Sequence, residues 1–289
     1  MKKKHLNRKE KTTIVSTGNH FSVTIHSLTI YILRQAMDIE NKTIIITGAA
    51  RGLGAAMAKH LAVQKCKLGL VDLNKNDIVG TVEACSALGA EAQAYAADVT
   101  NEDDVGAAYR QIVNDLGPLH GSINNAGITK DGLLVKFKDG EFVKKMSLED
   151  WQAVINVNLT GVFLCGREAA QLMIESGTQG VIINISSIAR HGNFGQTNYS
   201  ATKAGVQAMA VVWAKELSRY GIRVNAIAPG FINTEMVASM PDNVKEKLAK
   251  MIPLGRIGEP KEVAQAAEFI FQNDYYSGRC IDLDGAQRL

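Results

Sequence analysis

The chain has 289 residues, 46% of them hydrophobic, with 32 basic and 29 acidic side chains and a formal net charge of +3. That length accommodates one large α/β domain or two small ones around an ordinary apolar core, and no apolar run reaches the ~18 residues of a membrane span. The charge is uneven: residues 1–36 hold seven basic side chains and one acid, while residues 37–289 hold 25 and 28, a net of −3 that gives no general case for a nucleic-acid partner.

Four widely spaced cysteines (Cys66, Cys85, Cys165, Cys280) without a CxxC read as reduced thiols, and six histidines without a ligand pattern give no metal site. The basic start of the chain leads into a stretch at 21–33 interrupted by Thr, His and Ser, with no clean small-residue cleavage site after it. It is also poorly patterned for a membrane-surface helix. The functional domain is therefore expected to begin near Met37. Residues 1–36 are expected to be a disordered, cleaved or non-native extension, and residues 37–289 a single domain.

Residues 43–47 (Thr-Ile-Ile-Ile-Thr) form a β-branched run bounded by glycine, which predicts a buried strand. Gly48-Ala-Ala-Arg51-Gly52-Leu53-Gly54 follows, and a helical pattern runs from about 53 to 64. A strand, a glycine-rich turn and a helix make a phosphate-binding element: Gly48 permits the tight turn, Gly52 the approach of a pyrophosphate, and Gly54 close packing of the helix. The helix N-terminus adds free N–H groups and a positive dipole end. The spacing is GxxxGxG, not GxGxxG.

Residues 67–72 read as a second parallel strand ending in Asp72, 18 residues after Gly54 and 24 after Gly48. An acid there accepts from ribose hydroxyls and repels a 2′-phosphate, which favours NAD(H). Arg51 in the glycine loop is the opposing signal, because a guanidinium pairs with the 2′-phosphate of NADP(H).

Helix (76–88), strand (91–97) and helix (102–116) continue the alternation, with Asp98-Val99 at the carboxyl end of the third strand. Residues 119–123 are a fourth strand, left through Asn124-Asn125-Ala126-Gly127, whose small residues let the backbone approach a bound ring. Residues 136–145 are charged around a Lys138-Asp139-Gly140 turn and read as a surface hairpin or loop. A long helix is expected over 148–175, capped by Ser147 with Asp150 at the capping-box position. Asn158 sits in its middle, against propensity, as a functional candidate or a solvent-facing residue.

Residues 181–187 are a fifth strand ending in Ser186-Ser187, 200–219 a helix, and 223–227 a sixth strand leading to Pro229-Gly230. Residues 234–251 carry Met236, Met240 and Met251, which suit a mobile lid or equally a core. A last helix (263–271) and a seventh strand (280–283) end the domain. The fold class is thus α/β, a doubly wound Rossmann-type parallel sheet of about seven strands.

Tyr199 and Lys203 are four residues apart on the helix that begins Asn198-Tyr199-Ser200, so phenol and ammonium share a face. A fixed positive charge beside the phenol favours phenolate and is expected to lower its pKa toward neutrality, making a general acid/base.

The order Gly48-xxx-Gly52-x-Gly54, Asp98, Asn124-Asn125-Ala126-Gly127, Asn158, Ser186-Ser187, Tyr199-xxx-Lys203, Pro229-Gly230 resembles the short-chain dehydrogenase/reductase family, over about residues 41–289. Within it, Asn124 to Leu134, Gly-Gln-Thr-Asn-Tyr-Ser and Pro253-Leu-Gly-Arg256 look most like the 3-oxoacyl-[acyl-carrier-protein] reductases.

The resemblance implies that Tyr199 protonates the carbonyl oxygen as hydride arrives from the nicotinamide, and that Lys203 holds the nicotinamide ribose and lowers the phenol pKa. It implies that a serine binds the substrate oxygen and that Asn158 holds a water linking Lys203 to solvent. Asp98 and Val99 would contact adenine and Thr234 the carboxamide. Leu53, Asn125, Ala126, Gly127, Pro229, Gly230 and Ile232 would complete the cofactor site.

Most family members place the serine 13 residues before the tyrosine, which selects Ser186; aligning the strand end selects Ser187, 12 residues before, and strands hold register more firmly than loops. The acyl-carrier reductases carry basic residues near the end of the central helix, where this chain has Glu175-Ser-Gly-Thr-Gln-Gly180, with Arg219 nearby. Asp72 likewise departs from their NADPH habit. The implied activity is reduction of a 3-oxoacyl thioester or similar ketone by a cytoplasmic homotetramer. In that assembly the helices of Asn158 and Tyr199, with Phe163, Met209 and Trp213, would form a face. The alternatives are oxidation of another secondary alcohol or a 3-hydroxyacyl-CoA, and a non-catalytic dinucleotide-binding protein.

Overall fold

The computed structural model describes residues 37–288; the expected extension at 1–36 lies outside the described residues. Strand β1 (Thr43–Thr47) is buried along its whole length, as a β-branched run covered on both sheet faces must be. Then follow α1 (Gly52–Ala62), β2 (Lys67–Asp72), α2 (Lys75–Ala87), β3 (Glu91–Ala96), α3 (Glu102–Leu116) and β4 (Leu119–Asn124). A hairpin of β5 (Val135–Lys138) and β6 (Glu141–Lys145) precedes α4 (Leu148–Ile155) and α5 (Val162–Glu175). The chain continues through β7 (Gly180–Ile185), α6 (Thr197–Leu217), β8 (Ile222–Pro229), α7 (Glu235–Ala238), α8 (Asp242–Met251), α9 (Pro260–Gln272) and β9 (Cys280–Leu283).

The main sheet has the order β3-β2-β1-β4-β7-β8-β9, and every neighbouring pair in it is parallel. Progression outward from β1 reverses at β4, so a crevice opens between the carboxyl ends of β1 and β4, where doubly wound sheets bind ligands. On one face α1 and α9 bury Met57, Leu61, Ile270 and Phe271. On the other α3, α5 and α6 bury Tyr109, Ile112, Met173 and Ala210. The two cores fix the sheet, and the sheet fixes the loops at its carboxyl edge.

The long helix expected over 148–175 is not one α-helix. Residues Asn156–Gly161 form a π turn between α4 and α5. Such turns accommodate an extra residue and gather at functional sites; here the turn faces Asn158 inward, where it is fully buried. The solvent-facing alternative for Asn158 is thereby excluded. The helix carrying Tyr199 spans Thr197–Leu217, starting one residue before Asn198. Ser147 caps α4 as expected, accepting from Asp150 N at 3.0 Å.

Residues 136–145 do form a hairpin: Asp139 and Gly140 take the positive φ values (52° and 85°) of a two-residue turn. All its residues are exposed, and Phe137 and Phe142 meet edge to face with ring centres 5.8 Å apart. In the lid region Met251 is exposed and Met240 half-buried, so neither belongs to the core; the side chain of Met236 lies outside the described residues. Cys66, Cys85 and Cys165 are buried free thiols, which desolvation pushes up to about 12, 11 and 12 respectively. Among the described residues no helix is long and apolar enough to cross a membrane.

Candidate active site

The cofactor crevice is stitched from both strands that form it. Thr47 Oγ1, at the end of β1, accepts from Asn125 N (3.0 Å) and Ala126 N (3.1 Å) beyond β4. Asn125 Nδ2 returns bonds to Thr47 O (3.0 Å) and Gly48 O (3.1 Å). Gly48, at φ +64°, tolerates no side chain: a Cβ would stand 2.9 Å from Ala126 Cα. A Cβ on Gly54 would collide with the Gly48 carbonyl. The first and third glycines therefore hold the loop against β4 and α1 against the loop. Gly52, at φ +57°, faces open space bounded by Thr234 and the Glu235 carboxylate, and its N–H points to Glu235 Oε1 at 3.5 Å. The N-terminus of α1 carries no side-chain cap and no acid in its first turn, which suits an anion from outside the helix.

Asp72 folds its carboxylate onto this loop. One oxygen accepts from Ala50 N (3.0 Å) and the other from Leu73 N (2.9 Å). Arg51 is exposed. Asp98 turns back to cap its own loop, accepting from Thr100 N (2.9 Å) and Oγ1 (2.8 Å). Val99 is buried against Gly161 of the π turn, where a Cβ would stand 2.9 Å from the valine. At the opposite side Gly230 N donates to Leu283 O (2.8 Å), so the turn after Pro229 is seated on β9. Ile232 is buried, and Thr234 stands beside Gly52. The small crevice, its α1 N-terminus met from within the chain by the Glu235 carboxylate on Gly52 N, fits a dinucleotide.

Asn158, Lys203, Ser187 and Tyr199 converge next to that crevice. The Asn158 amide clamps the backbone of Ile128, accepting from its N–H and donating to its C=O, both at 2.8 Å. Each polar end of the side chain spends one hydrogen bond there, leaving one N–H and one lone pair besides the main-chain carbonyl for a water. A Cβ on Gly127 would stand 3.4 Å from Asn158 Oδ1 and 3.7 Å from Lys203 Nζ, so these three lie together. Lys203 is 4% exposed, donates from Nζ to Ile185 O at 2.8 Å and lies 5.5 Å from the centre of the Tyr199 ring. Desolvation lowers its pKa to about 8.

The two serines part company. Ser186 is buried and donates to Lys203 O at 2.7 Å, so its hydroxyl faces helix α6. Ser187, half-buried, accepts from Ala189 N at 3.1 Å and lies beside the Tyr199 phenol, where its hydrogen bonding favours phenolate. The expected depression of the Tyr199 pKa is not what this structure holds. Burial raises it, Ser187 opposes that, and the Asp131 charge adds to it.

Residues missed by sequence reasoning complete the site. Asn198 is buried and anchors the start of α6, donating to Lys130 O (3.0 Å) and Asp150 O (3.3 Å) and accepting from Tyr199 N (2.8 Å). Asp131 accepts from Gln196 Nε2 at 2.9 Å, and Gly132 N donates to Gly195 O at 2.7 Å. An asparagine directly before the candidate tyrosine at a helix start was the one available signal. A cavity of about 810 Å³ lies between α8 and α9 beside Asn233, Lys245 and Arg256 and contains none of these groups.

A family model described as enoyl-(acyl carrier protein) reductase matches residues 48–285. The chain belongs to the short-chain dehydrogenase/reductase family. It is 40% identical over 252 residues to the 3-oxoacyl-[acyl-carrier-protein] reductase FabG of Thermotoga maritima, covering 86% of this chain and 98% of that one. It is 40% identical to the acetoacetyl-CoA reductase of a Synechocystis species (87% and 98%) and 39% to the (3R)-3-hydroxyacyl-CoA dehydrogenase of Mus musculus (83% and 94%). A short-chain type dehydrogenase/reductase from Mycobacterium marinum superposes with a TM-score of 0.79 at 29% identity, covering 86% of this chain and 96% of that one. As a member of the short-chain dehydrogenase/reductase family this chain is an oxidoreductase that uses a nicotinamide cofactor.

Proposed function

We propose that this short-chain dehydrogenase/reductase reduces the 3-oxo group of an acyl thioester, with NADH as the favoured cofactor. The observation that carries the reading is the convergence of the Tyr199 phenol with Ser187 and Lys203 beside the glycine-loop crevice; the phenol is protonated at neutral pH and can donate to a substrate oxygen. The bound nicotinamide supplies the hydride. The chain's own residues do the rest. Ser187 Oγ, beside the phenol, donates to the substrate oxygen and holds it against Tyr199. Tyr199 gives its proton to the oxygen as negative charge builds on it. Lys203, with an ammonium that titrates at about 8, holds the nicotinamide ribose hydroxyls and offsets the phenolate formed. The Asn158 carbonyl, placed in the π turn, holds the water that returns a proton toward Lys203.

Asp72 at the end of β2 supports NADH, since its carboxylate would repel a 2′-phosphate. The other named residues of the crevice, Gly48, Arg51, Gly52, Leu53, Gly54, Asp98, Val99, Asn125, Ala126, Gly127, Pro229, Gly230, Ile232 and Thr234, form its walls. The thioester reading rests on the relatives' ketoreductase and hydroxyacyl dehydrogenase names, at 36–41% identity. A homotetramer is part of the proposal, supported by exposed Phe163 on α5 and Val212 on α6. Trp213 supports it less, because it fills the notch at Gly166 within the chain. The test is oxidation of NADH and of NADPH with acetoacetyl-CoA and with simple ketones. Faster turnover of the thioester with NADH supports the reading. Turnover confined to simple ketones, or a preference for NADPH, rejects the corresponding part.

A further inference from the structure

The loop after β7 holds one group that the mechanism above leaves unused. Arg190 lies three residues beyond Ser187 with its side chain only 5% exposed. Nη1 donates to the main-chain carbonyl of Ser187 at 3.2 Å, and Nη2 to Asp282 Oδ1 on β9 at 2.6 Å. A buried guanidinium is costly unless its charge and donors are matched; here an anion and a carbonyl match it. Nε has no partner, and neither has Oε1 of the buried Gln287. The guanidinium borders a cavity of about 210 Å³ that Gln287 and His191 also line.

Strand β9 is the last in the sheet and pairs only with β8. Ser187 Oγ accepts from Ala189 N and hydrogen-bonds the Tyr199 phenol, while its carbonyl is linked through Arg190 to Asp282 on β9. A strand-end residue in extended conformation (φ −165°) can rotate its peptide unless the carbonyl is held. Arg190 holds it twice, through its main-chain N–H at 3.1 Å and through Nη1 at 3.2 Å, and the guanidinium ties it on to Asp282.

We propose that Arg190 is a positioning residue: its guanidinium, braced by Asp282, fixes the Ser187 peptide so that the Ser187 hydroxyl meets the phenol and the substrate oxygen. This rests on Ser187 as the substrate-binding serine. Ser187 is also the group that pulls the Tyr199 pKa down against burial, so a loosened Ser187 lets that pKa rise.

The test is kinetic, on the full-length enzyme with acetoacetyl-CoA and NADH. Arg190→Met is expected to lower kcat roughly 10- to 100-fold, the scale of a misplacement near 1 Å, with the KM for NADH unchanged. The alkaline limb of kcat/KM moves to higher pH. Arg190→Lys, whose single ammonium cannot span both acceptors, recovers part of the loss and keeps the charge opposite Asp282 should the methionine variant not fold. Because the guanidinium borders a cavity, millimolar guanidinium ion is expected to restore turnover to Arg190→Ala. In a Ser187→Ala background, Arg190→Lys is expected to cost less than about twofold, since coupled residues are non-additive.

A folded Arg190 variant with wild-type turnover and pH profile overturns the inference, as does an equal loss in both backgrounds. If Ser187→Ala itself keeps full turnover, the serine assignment falls and the inference with it. Loss in Ser187→Ala without loss at Arg190 rejects this inference alone.

Discussion

In the proposed mechanism Lys203 serves the chemistry at a cost in stability, and replacing it by methionine exposes that cost. Its pKa falls from 10.5 to about 8 on burial. At about 1.4 kcal/mol per unit, holding the ammonium in the fold costs about 3 kcal/mol at pH 7. Methionine removes that penalty and also the bond to Ile185 O, the loss of which costs about 1 kcal/mol. Lys203→Met is therefore expected to be more stable than wild type by roughly 2 kcal/mol at pH 7, while losing nearly all turnover. The sign with pH follows from the protons bound. Below about pH 8 both folded and unfolded chains carry the lysine proton and the penalty is full. Between about 8 and 10.5 the unfolded chain still binds it and the folded chain does not, so wild type gains stability as pH rises and the gap closes. Urea unfolding of both proteins at pH 7 and pH 10 measures this. A variant less stable than wild type at pH 7, or a difference that ignores pH, refutes the reasoning.

Other expectations follow from the same contacts. Ser187→Ala should lower kcat at least tenfold, while Ser186→Ala, which loses one buried bond to Lys203 O, should keep turnover and lose about 1 kcal/mol of stability; steady-state kinetics on both decide between them. Asn158→Ala leaves the Ile128 N–H and C=O without partners and should cost roughly 2–5 kcal/mol in urea unfolding; a loss under about 0.5 kcal/mol would mean the clamp is not what the π turn serves. Asp72→Ser removes the acid at the end of β2 and should improve kcat/KM for NADPH relative to NADH by at least about tenfold, about 1.4 kcal/mol. An unchanged ratio would assign the choice to another residue.

The strands and the glycine loop were legible because their signals are local. The Thr43–Thr47 run announces a strand covered on both faces, and Gly48 and Gly54 mark places where the structure shows that no Cβ fits. The π turn was not legible, since one wide turn within a continuous helical stretch has no residue signature of its own, and only the burial of Asn158 reveals it. Asp131 and Arg190 were invisible, and Asn198 signalled only by its place before Tyr199, because their partners, Gln196, Asp282 and Lys130 O, are supplied by tertiary contact. The direction of the Tyr199 shift was misread because i,i+4 spacing reports proximity to a charge and says nothing of burial, which here outweighs it. The two serines differ by one residue in a loop of adjustable length, so only the side each hydroxyl faces separates them.

The central claim is that the Tyr199 phenol delivers the proton. Single-turnover reduction of acetoacetyl-CoA by NADH, comparing wild type with Tyr199→Phe, tests it most directly, because the ring and its packing stay and only the hydroxyl goes. A fall in the hydride-transfer rate of roughly 10²- to 10⁴-fold, the range of a lost general acid, with NADH binding unchanged, is the expected result. Wild-type hydride transfer in Tyr199→Phe would contradict it and pass the proton to another group.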